Sequence, residues 1–307
     1  LASALLAQPQ TVVPVRDAAW SKSLDGQWQF KYIAGTDVGA DAGFSDPAYN
    51  ISAWPNIPVP SHWELEGFAE PKYGKLLAAG LGLYRLNFRV PDGWAETGRH
   101  VFLRFDGVLY GFDAWVNGTK VGSWASSYNP ATFDITAALK PGADNVLAVE
   151  VTTRSKGWEF DTNDCWALSG IYRPVTLFST PATHFQDYTV RTTLDADGSA
   201  QLHLDVQADR GADTTPASVN GRLLSPDGSS VREFQIALGA DAKGEATVKV
   251  DHPALWTAET PSLYRLELAL VADGKPVQQI SDRVGLRQIT IEDGVLKLNG
   301  RPIKLRG

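Results

Sequence analysis

Short stretches in which apolar and polar residues alternate follow one another along most of the chain. The alternation runs LGLYRLNFRV through 81–90, and VFLRFDGV (101–108), YGFDAWVNG (110–118) and NVLAVEV (145–151) follow at spacings typical of strands and turns. A period of two buries one face of a strand against a second sheet. The pattern therefore predicts an all-β protein with few helices.

Two Asn-Gly pairs mark tight turns between such stretches. Asn117-Gly118 lies between AWV and TKVG, and Asn299-Gly300 lies inside DGVLKLNGRPIKLRG. Both residues of an Asn-Gly pair tolerate positive φ, which the two-residue turn of a β-hairpin requires. We therefore predict a hairpin at each place.

A change of composition after LFSTPATHF (177–185) indicates a second module. The tryptophan-rich first part gives way to a stretch in which Leu202, Leu204 and Val206 alternate with polar residues. About seven short strands over roughly 100 residues fit the size of an immunoglobulin-like sandwich, although no cysteine pair supports a true immunoglobulin domain. We predict four parts, at residues 1–17 (an extension), 18–181, 182–290 and 291–307.

Composition and net charge disfavour several classes of function and partner. The 307 residues suggest two domains, and 28 basic against 35 acidic side chains leave a net charge of −7, which disfavours a nucleic-acid partner. No apolar run reaches the roughly 18 residues of a membrane span, so no membrane partner is expected. The single cysteine, Cys165, excludes an intrachain disulfide and a cysteine cluster for zinc, and it leaves the compartment open.

The segment GWEFDTNDCWALSGIYRPVTL (157–177) is the first that points to a reaction. Its Asp, Trp and Ser-Gly-Ile-Tyr-Arg run resembles the end of the first domain of family 2 glycoside hydrolases, the β-galactosidase and β-glucuronidase group. The resemblance covers residues 18 to 307. Further matches follow in the family's order: LDGQWQF (24–30), VPSHWELEGF (59–68), LYRLNFRVP (83–91), FDGVLYGFDAWVNGTKVG (105–122), LWTAETPSLYRLEL (255–268) and VGLRQITIEDGVLKLNGRPIKLRG (284–307).

The resemblance implies a jelly-roll sugar-binding domain at 18–181, an immunoglobulin-like sandwich at 182–290 and, from 291–307 onward, a (β/α)8 catalytic barrel. Retaining hydrolysis needs two carboxyl groups about 5 to 5.5 Å apart, and the family's two catalytic glutamates belong to the barrel, beyond Gly307. We therefore assign no catalytic residue here and expect this chain to be inactive alone. Its expected partners are a carbohydrate substrate and the carboxy-terminal barrel of the same polypeptide, and formation of a homo-oligomer is left open.

Asp164 matches the family's aspartate in the D-x-W-x-x-S-G-I-[FY]-R run, which in the β-galactosidases binds the sugar and a sodium ion. A carboxylate suits both tasks, since it accepts hydrogen bonds from hydroxyls and is a hard oxygen ligand. The resemblance thus implies substrate binding by Asp164, with sodium nearby and no other cofactor required by this chain. The alternative is a structural role, with Asp164 paired to Arg173. Trp158 and Trp166 are candidates for stacking on a sugar ring or, alternatively, for packing between sheets.

Other interpretations stay open. One interpretation is that two of the acidic residues Glu159, Asp161 and Asp164 form a glycosidase carboxylate pair within this domain. Solvated surface charge explains them more simply, because all three fall in one loop. Ala79 stands where the galactosidases often have an asparagine that contacts the sugar, so a β-glucuronidase or β-mannosidase specificity competes with galactose. The chain as a whole is expected to be the non-catalytic amino-terminal part of a retaining exo-β-glycosidase, most closely a β-galactosidase; the alternative is a free-standing carbohydrate-binding or adhesion module.

Enzymes built from three packed domains bury the faces where the domains meet. We therefore expect exposed apolar side chains around Asp164 and along the segment that leads to Gly307, where the barrel would dock.

Overall fold

The computed structural model describes residues 8–74, 77–95, 98–162, 166–211 and 215–305. Over these residues the chain is nearly all β, with one four-residue helix, α1 (Trp158–Asp161), and short 3-10 turns such as Gly39–Asp41 and Thr136–Ala138. None of the helices in the described ranges has the length and apolar character that crossing a membrane requires. The predicted all-β class is confirmed.

The chain divides into two units, residues 1–180 and 181–307. The strands of the first unit are β1 (Ser21–Ser23), β2 (Gly26–Ala34), β3 (Asn56–Val59), β4 (Lys72–Tyr73), β5 (Gly80–Phe88), β6 (Arg99–Phe105), β7 (Val108–Leu109), β8 (Gly111–Val116), β9 (Thr119–Trp124), β10 (Ala131–Asp134), β11 (Asn145–Thr152), β12 (Trp166–Ala167), β13 (Gly170–Ile171) and β14 (Val175–Pro181).

Two sheets form the sandwich of the first unit. One has the order β3-β2-β5-β11-β8-β9 and the other the order β1-β14-β6-β10, while β12 pairs with β4 and β13 with β7 in two small ribbons. The inward faces of the two sheets form one apolar core that includes Trp28, Phe30, Trp63, Phe105 and Phe133. The β-sandwich predicted for this part of the chain is confirmed, and its ribbons lie where the candidate site residues are.

The central strand β5 departs from simple alternation. Arg85 occupies a polar position of the predicted pattern, yet only 2% of its surface is exposed. Its guanidinium donates to the carbonyl oxygens of Phe44, Asp46 and Pro47, which belong to a loop that covers the outer face of the sheet. Both faces of β5 are therefore buried, because the irregular segment between β2 and β3 forms a third layer.

The predicted hairpins are confirmed. Asn117 and Gly118 join β8 to β9 with φ values of 51° and 82°, and Asn299 and Gly300 join the last two strands with φ values of 51° and 74°. These are the positive values that the Asn-Gly pairs predict.

The second unit is a sandwich of a three-stranded sheet, β15-β16-β19, and a four-stranded sheet, β18-β17-β20-β21. Leu202, Leu204 and Val206 point into its core, as the alternation predicts. Its strands are β15 (His184–Leu194), β16 (Ala200–Asp209), β17 (Ala217–Leu224), β18 (Ser230–Ala237), β19 (Lys243–Val250), β20 (Tyr264–Ala272), β21 (Lys275–Val284), β22 (Ile289–Glu292), β23 (Val295–Leu298) and β24 (Arg301–Pro302).

A separate small sheet, β22-β23-β24, follows the second sandwich. Ile289 pairs with Leu298 and Ile291 with Leu296, and directly opposed residues share a face of an antiparallel pair. This places four aliphatic side chains on one face, which we call the hairpin face. Ile289 is 57% exposed and Ile291 74% exposed, so the hairpin face is largely open.

The close packing around Gly82 of β5 gives a first prediction. A methyl group at Gly82 would overlap the ring of Trp63 and lie 2.9 Å from Phe30 Cε2. Overpacking of this kind costs about 1–3 kcal/mol, so Gly82→Ala should lower the free energy of unfolding of the first unit by that amount. Gly43→Ala, whose methyl group would meet Tyr49 at an ordinary 3.6 Å, is the matched control. Equal urea midpoints for the two variants would contradict the packing account.

Candidate functional site

The residues on both sides of 163–165 are held by the first unit, whereas Asp164 itself lies outside the described residues. On the carboxyl side, β12 pairs with β4, with Trp166 opposite Tyr73. The two rings meet edge to face, with centroids 5.9 Å apart and planes at 88°. Trp166 and Tyr73 are 60% and 50% exposed, so they form an open aromatic wall, and Trp166 follows Asp164 by two residues in the sequence.

Segment 169–171, directly after the aromatic wall, is joined to segment 61–64. The amide of Ser61 donates to the carbonyl oxygen of Ile171 at 2.9 Å, and the amide of Trp63 donates to that of Ser169 at 3.1 Å. The amide of Ser169 in turn donates to Glu64 Oε2 at 2.8 Å. These three bonds join parts of the chain that lie more than 100 residues apart, and we call them the 61–64/169–171 clamp.

The amino-terminal side is held by α1. Asp161 Oδ2 accepts a hydrogen bond from the amide of Ser127 at 2.9 Å, and the carbonyl oxygen of Asp161 accepts one from the Tyr128 hydroxyl at 2.9 Å. Asp161 therefore fixes the end of α1 to the 125–129 loop. The surface-charge interpretation fits Glu159, which is exposed, but Asp161 has this structural task in addition.

Trp158 faces the protein more than the solvent. It packs against a buried cluster that includes Leu109, Tyr110 and Ala167, and the guanidinium carbon of Arg154 lies 4.5 Å from the centre of its ring. Trp158 is thus half-buried packing, whereas the exposed ring of Trp166 is available for contact. Whether Trp166 binds sugar stays a prediction.

Arg173, the alternative partner of Asp164, has other contacts. Its Nη1 donates to the carbonyl oxygen of Tyr128 at 3.1 Å, and its guanidinium lies 5.0 Å from the ring centre of Tyr172. Because Asp164 is outside the described residues, the choice between sugar binding and pairing with Arg173 stays open.

Exposed apolar side chains occur in both units. In the first unit the exposed large apolar residues are Leu65, Tyr73, Tyr128, Phe160 and Trp166, and Phe160 is 89% exposed. In the second unit the exposed large apolar residues are Ile289, Ile291, Val295 and Leu305. The expectation that such side chains mark the places where a barrel docks stays a prediction.

Two titratable groups beneath the site are shifted by burial. Burial raises the pKa of Glu64, and hydrogen bonds from Ser169 and Trp63 partly offset that shift. Burial lowers the pKa of His62, and a hydrogen bond with the backbone of Ser169 acts in the opposite direction. The His62 ring stacks on Tyr172, with centroids 5.5 Å apart. Sequence reasoning did not single out Glu64, because nothing local distinguishes it from the exposed Glu66.

A metal site does not emerge from the described residues. They contain no group of three or more histidine, cysteine or acidic side chains that could hold an ion. A hard cation also takes backbone carbonyl oxygens and water as ligands, so sodium binding by Asp164 stays a prediction.

Comparison with known proteins identifies the two units. Residues 21–181 match the model of the glycosyl hydrolases family 2 sugar binding domain, and residues 183–287 match that of glycosyl hydrolases family 2. The chain is 32% identical to a β-galactosidase of Priestia megaterium, over all of this chain and 32% of the relative. It is 36% identical to one of Enterobacter cloacae, over 95% of this chain and 30% of the relative. It thus spans about a third of the length of these curated relatives.

Solved structures agree on the architecture. A β-glucuronidase of Bacteroides uniformis superposes with a TM-score of 0.77 at 26% identity, over 94% of this chain and 35% of that protein. A β-glycosidase of Bacteroides vulgatus superposes with a TM-score of 0.76 at 26% identity, over 94% of this chain and 36% of that protein.

The shifted histidine gives a prediction for the pH dependence of stability. The pKa of His62 in the folded state lies below the value of about 6.5 for an unfolded chain, so unfolded molecules take up the proton first. The free energy of unfolding of the first unit should therefore fall as the pH drops below about 6.5 and continue to fall until the folded pKa is passed.

His62→Phe keeps an aromatic ring against Tyr172 but removes the proton site, and it should flatten this decline. Chemical denaturation at several pH values measures the effect, with His203→Gln in the second unit as the control. Identical pH profiles for the wild type and His62→Phe would rule out this contribution.

Proposed function

The chain belongs to family 2 of the glycosyl hydrolases, and from this premise we propose that it is the non-catalytic amino-terminal part of a retaining exo-β-glycosidase, most closely a β-galactosidase. In this proposal the first unit supplies one wall of the sugar site. The observation that carries it is the aromatic wall of Trp166 and Tyr73, inside the region that matches the family's sugar binding domain.

The wall has the physical properties that a sugar contact needs. An exposed aromatic ring presents apolar surface to the C–H face of a sugar, and a neighbouring carboxylate accepts hydrogen bonds from its hydroxyls. The ribbon β4-β12 and the 61–64/169–171 clamp fix the base of the wall. A site held by rigid elements orders its ligand at a lower entropic cost than a mobile loop does. We propose that Asp164 and Trp166 contact the substrate and that any sodium ion takes Asp164 as only one of its ligands.

The two carboxyl groups of the reaction are assigned to a barrel that follows this chain. Retaining hydrolysis uses one carboxyl group as the proton donor and the other as the nucleophile, about 5 to 5.5 Å apart. The relatives are about three times as long as the part that this chain matches, which leaves room for such a domain. We propose that the hairpin face docks on that barrel, because it is apolar and open.

Galactose specificity rests on the relatives' names rather than on the geometry. Ala79 is half-buried, and its carbonyl oxygen accepts a hydrogen bond from the amide of Gly35. Its methyl side chain cannot bind a sugar hydroxyl, unlike the asparagine often found there in β-galactosidases. Asp164 is therefore the residue proposed to recognise the hydroxyls from this side.

Substitutions of Asp164 in the polypeptide that includes the barrel test the proposed function. Hydrogen bonds to a charged group contribute roughly 1.5 to 3 kcal/mol each, so Asp164→Asn should lower kcat/KM for a β-galactoside about tenfold to a hundredfold at an unchanged melting temperature. Asp164→Ala should lower it further.

Arg173→Ala is the control for a structural role of Asp164. If Asp164 only pairs with Arg173, all three variants lower the melting temperature and leave kinetics intact, and that result would overturn the sugar contact. A 307-residue chain that binds galactosides tightly without a barrel would favour the carbohydrate-binding module instead.

A charge on the hairpin face tests the proposed docking of the barrel. Ile291→Lys should leave the stability of the 307-residue chain within about 0.5 kcal/mol of the wild type, as expected for an exposed site, but destabilise the polypeptide that includes the barrel. Val295→Lys, on the opposite face beside Glu292, is the matched control. Equal melting curves for the two variants in the longer polypeptide would contradict docking, and a change confined to the oligomeric state would assign the hairpin face to a second copy.

A further inference from the structure

Glu64 is a buried acidic residue that the proposed chemistry does not use. Only 3% of its surface is exposed, and it lies in a turn of the chain at 62–68. Removing a carboxylate from water is costly unless it is paired and hydrogen-bonded. A position that needed only packing would be filled more favourably by an apolar side chain, so a specific task for this carboxylate is the simplest explanation.

The contacts of Glu64 point to that task. Its Oε2 accepts a hydrogen bond from the amide of Ser169 at 2.8 Å, one of the two bonds of the 61–64/169–171 clamp that involve Ser169, three residues after Trp166. The turn itself cannot shift easily, because its neighbour Trp63 is 1% exposed and stacks on Phe30 with centroids 5.9 Å apart. A rigid path therefore runs from the core through Trp63 and Glu64 to Ser169.

We propose that Glu64 is a positioning residue, whose buried carboxylate holds Ser169 and thereby sets the place of Trp166 on the sugar-binding wall. This inference rests on the proposed function and adds to it a residue that does not touch the sugar. A carboxylate suits the role, since a hydrogen bond from a backbone N–H to a charged acceptor is shorter and stronger than one to a neutral acceptor. The short strand β12 has only two residues, so its register depends on such an anchor at its end.

The hydrogen bond from the amide of Ser169 to Glu64, which we call the anchor, can be tested in the 307-residue chain without any assay of activity. The amide proton of Ser169 should shift with pH in NMR spectra, with a midpoint above the ordinary glutamate value of 4.5, because its acceptor changes charge there. Glu64→Gln, whose side-chain oxygen can still accept the bond, should abolish the titration and retain the fold. Glu66→Gln, two residues on and exposed, is the matched control.

Other titratable groups near Glu64 do not confuse this measurement. The phenols of Tyr32 and Tyr84 interact with its charge, and their pKa values are raised, so both stay neutral over the acid range. His62 lies on the same turn and does titrate in acid, and the His62→Phe background removes it. A Ser169 shift that titrates unchanged in Glu64→Gln would overturn the anchor.

A double-mutant cycle in the polypeptide with the barrel tests positioning. Glu64→Ala and Trp166→Ala should each raise the KM for a β-galactoside about tenfold with a smaller change in kcat, as expected for lost ground-state binding. The double variant should be little worse than either single variant, since coupled residues are not additive. Glu64→Gln should restore most of the loss, and Glu66→Ala should have no effect.

Each outcome of the cycle decides a different claim. Additive effects would show that Glu64 does not act through Trp166 and would overturn the positioning role alone. A Trp166→Ala variant with unchanged KM would overturn the proposed sugar contact and the positioning role together, while the Ser169 titration would still report whether the anchor exists. Should Glu64→Ala fail to fold, the comparison of Glu64→Gln with the wild type still decides the anchor.

Discussion

The pairing of segment 61–64 with segment 169–171 is the constraint on which the candidate site depends. Three hydrogen bonds join these segments, and one of them ends on the buried carboxylate of Glu64. Without this pairing, β12 would be held only by its two-residue ribbon with β4. A few polar contacts therefore connect the core of the sandwich to the site, and the rings of the aromatic wall are partly exposed.

The sequence predicted well those features that depend on neighbours along the chain. The all-β class, the alternating strand β16 and both Asn-Gly hairpins follow from local patterns, since a strand's period and a turn's φ values are properties of a few adjacent residues. The same reasoning failed at Arg85. Its position in the alternation indicates a solvated face, but a loop more than 35 residues earlier in the chain covers that face and accepts its hydrogen bonds.

The candidate site was predictable only in part for the same reason. The run around Asp164 and Trp166 is continuous in sequence and resembles a family motif, so it could be found without a structure. Glu64 and Tyr73 could not, because each reaches the site by contact with a residue about 100 positions away. Only the folded chain separates Glu64 from the exposed Glu66, since the two share the same turn and the same chemistry.

In the proposed site the buried carboxylate fixes the position of the wall and the exposed aromatic rings contact the sugar. There is a physical reason for these separate roles. Apolar contact alone is non-directional, so a wall built only of packed side chains would tolerate small shifts of its rings. A hydrogen bond to a buried carboxylate is directional, and breaking it leaves an uncompensated charge inside the protein, which makes alternative positions of Ser169 costly. The raised pKa of Glu64 is the cost of that arrangement, because burial disfavours the charged form. The buried carboxylate thus lowers the stability of the turn but fixes the position of the aromatic wall. Such a cost is reasonable only where that position matters for binding.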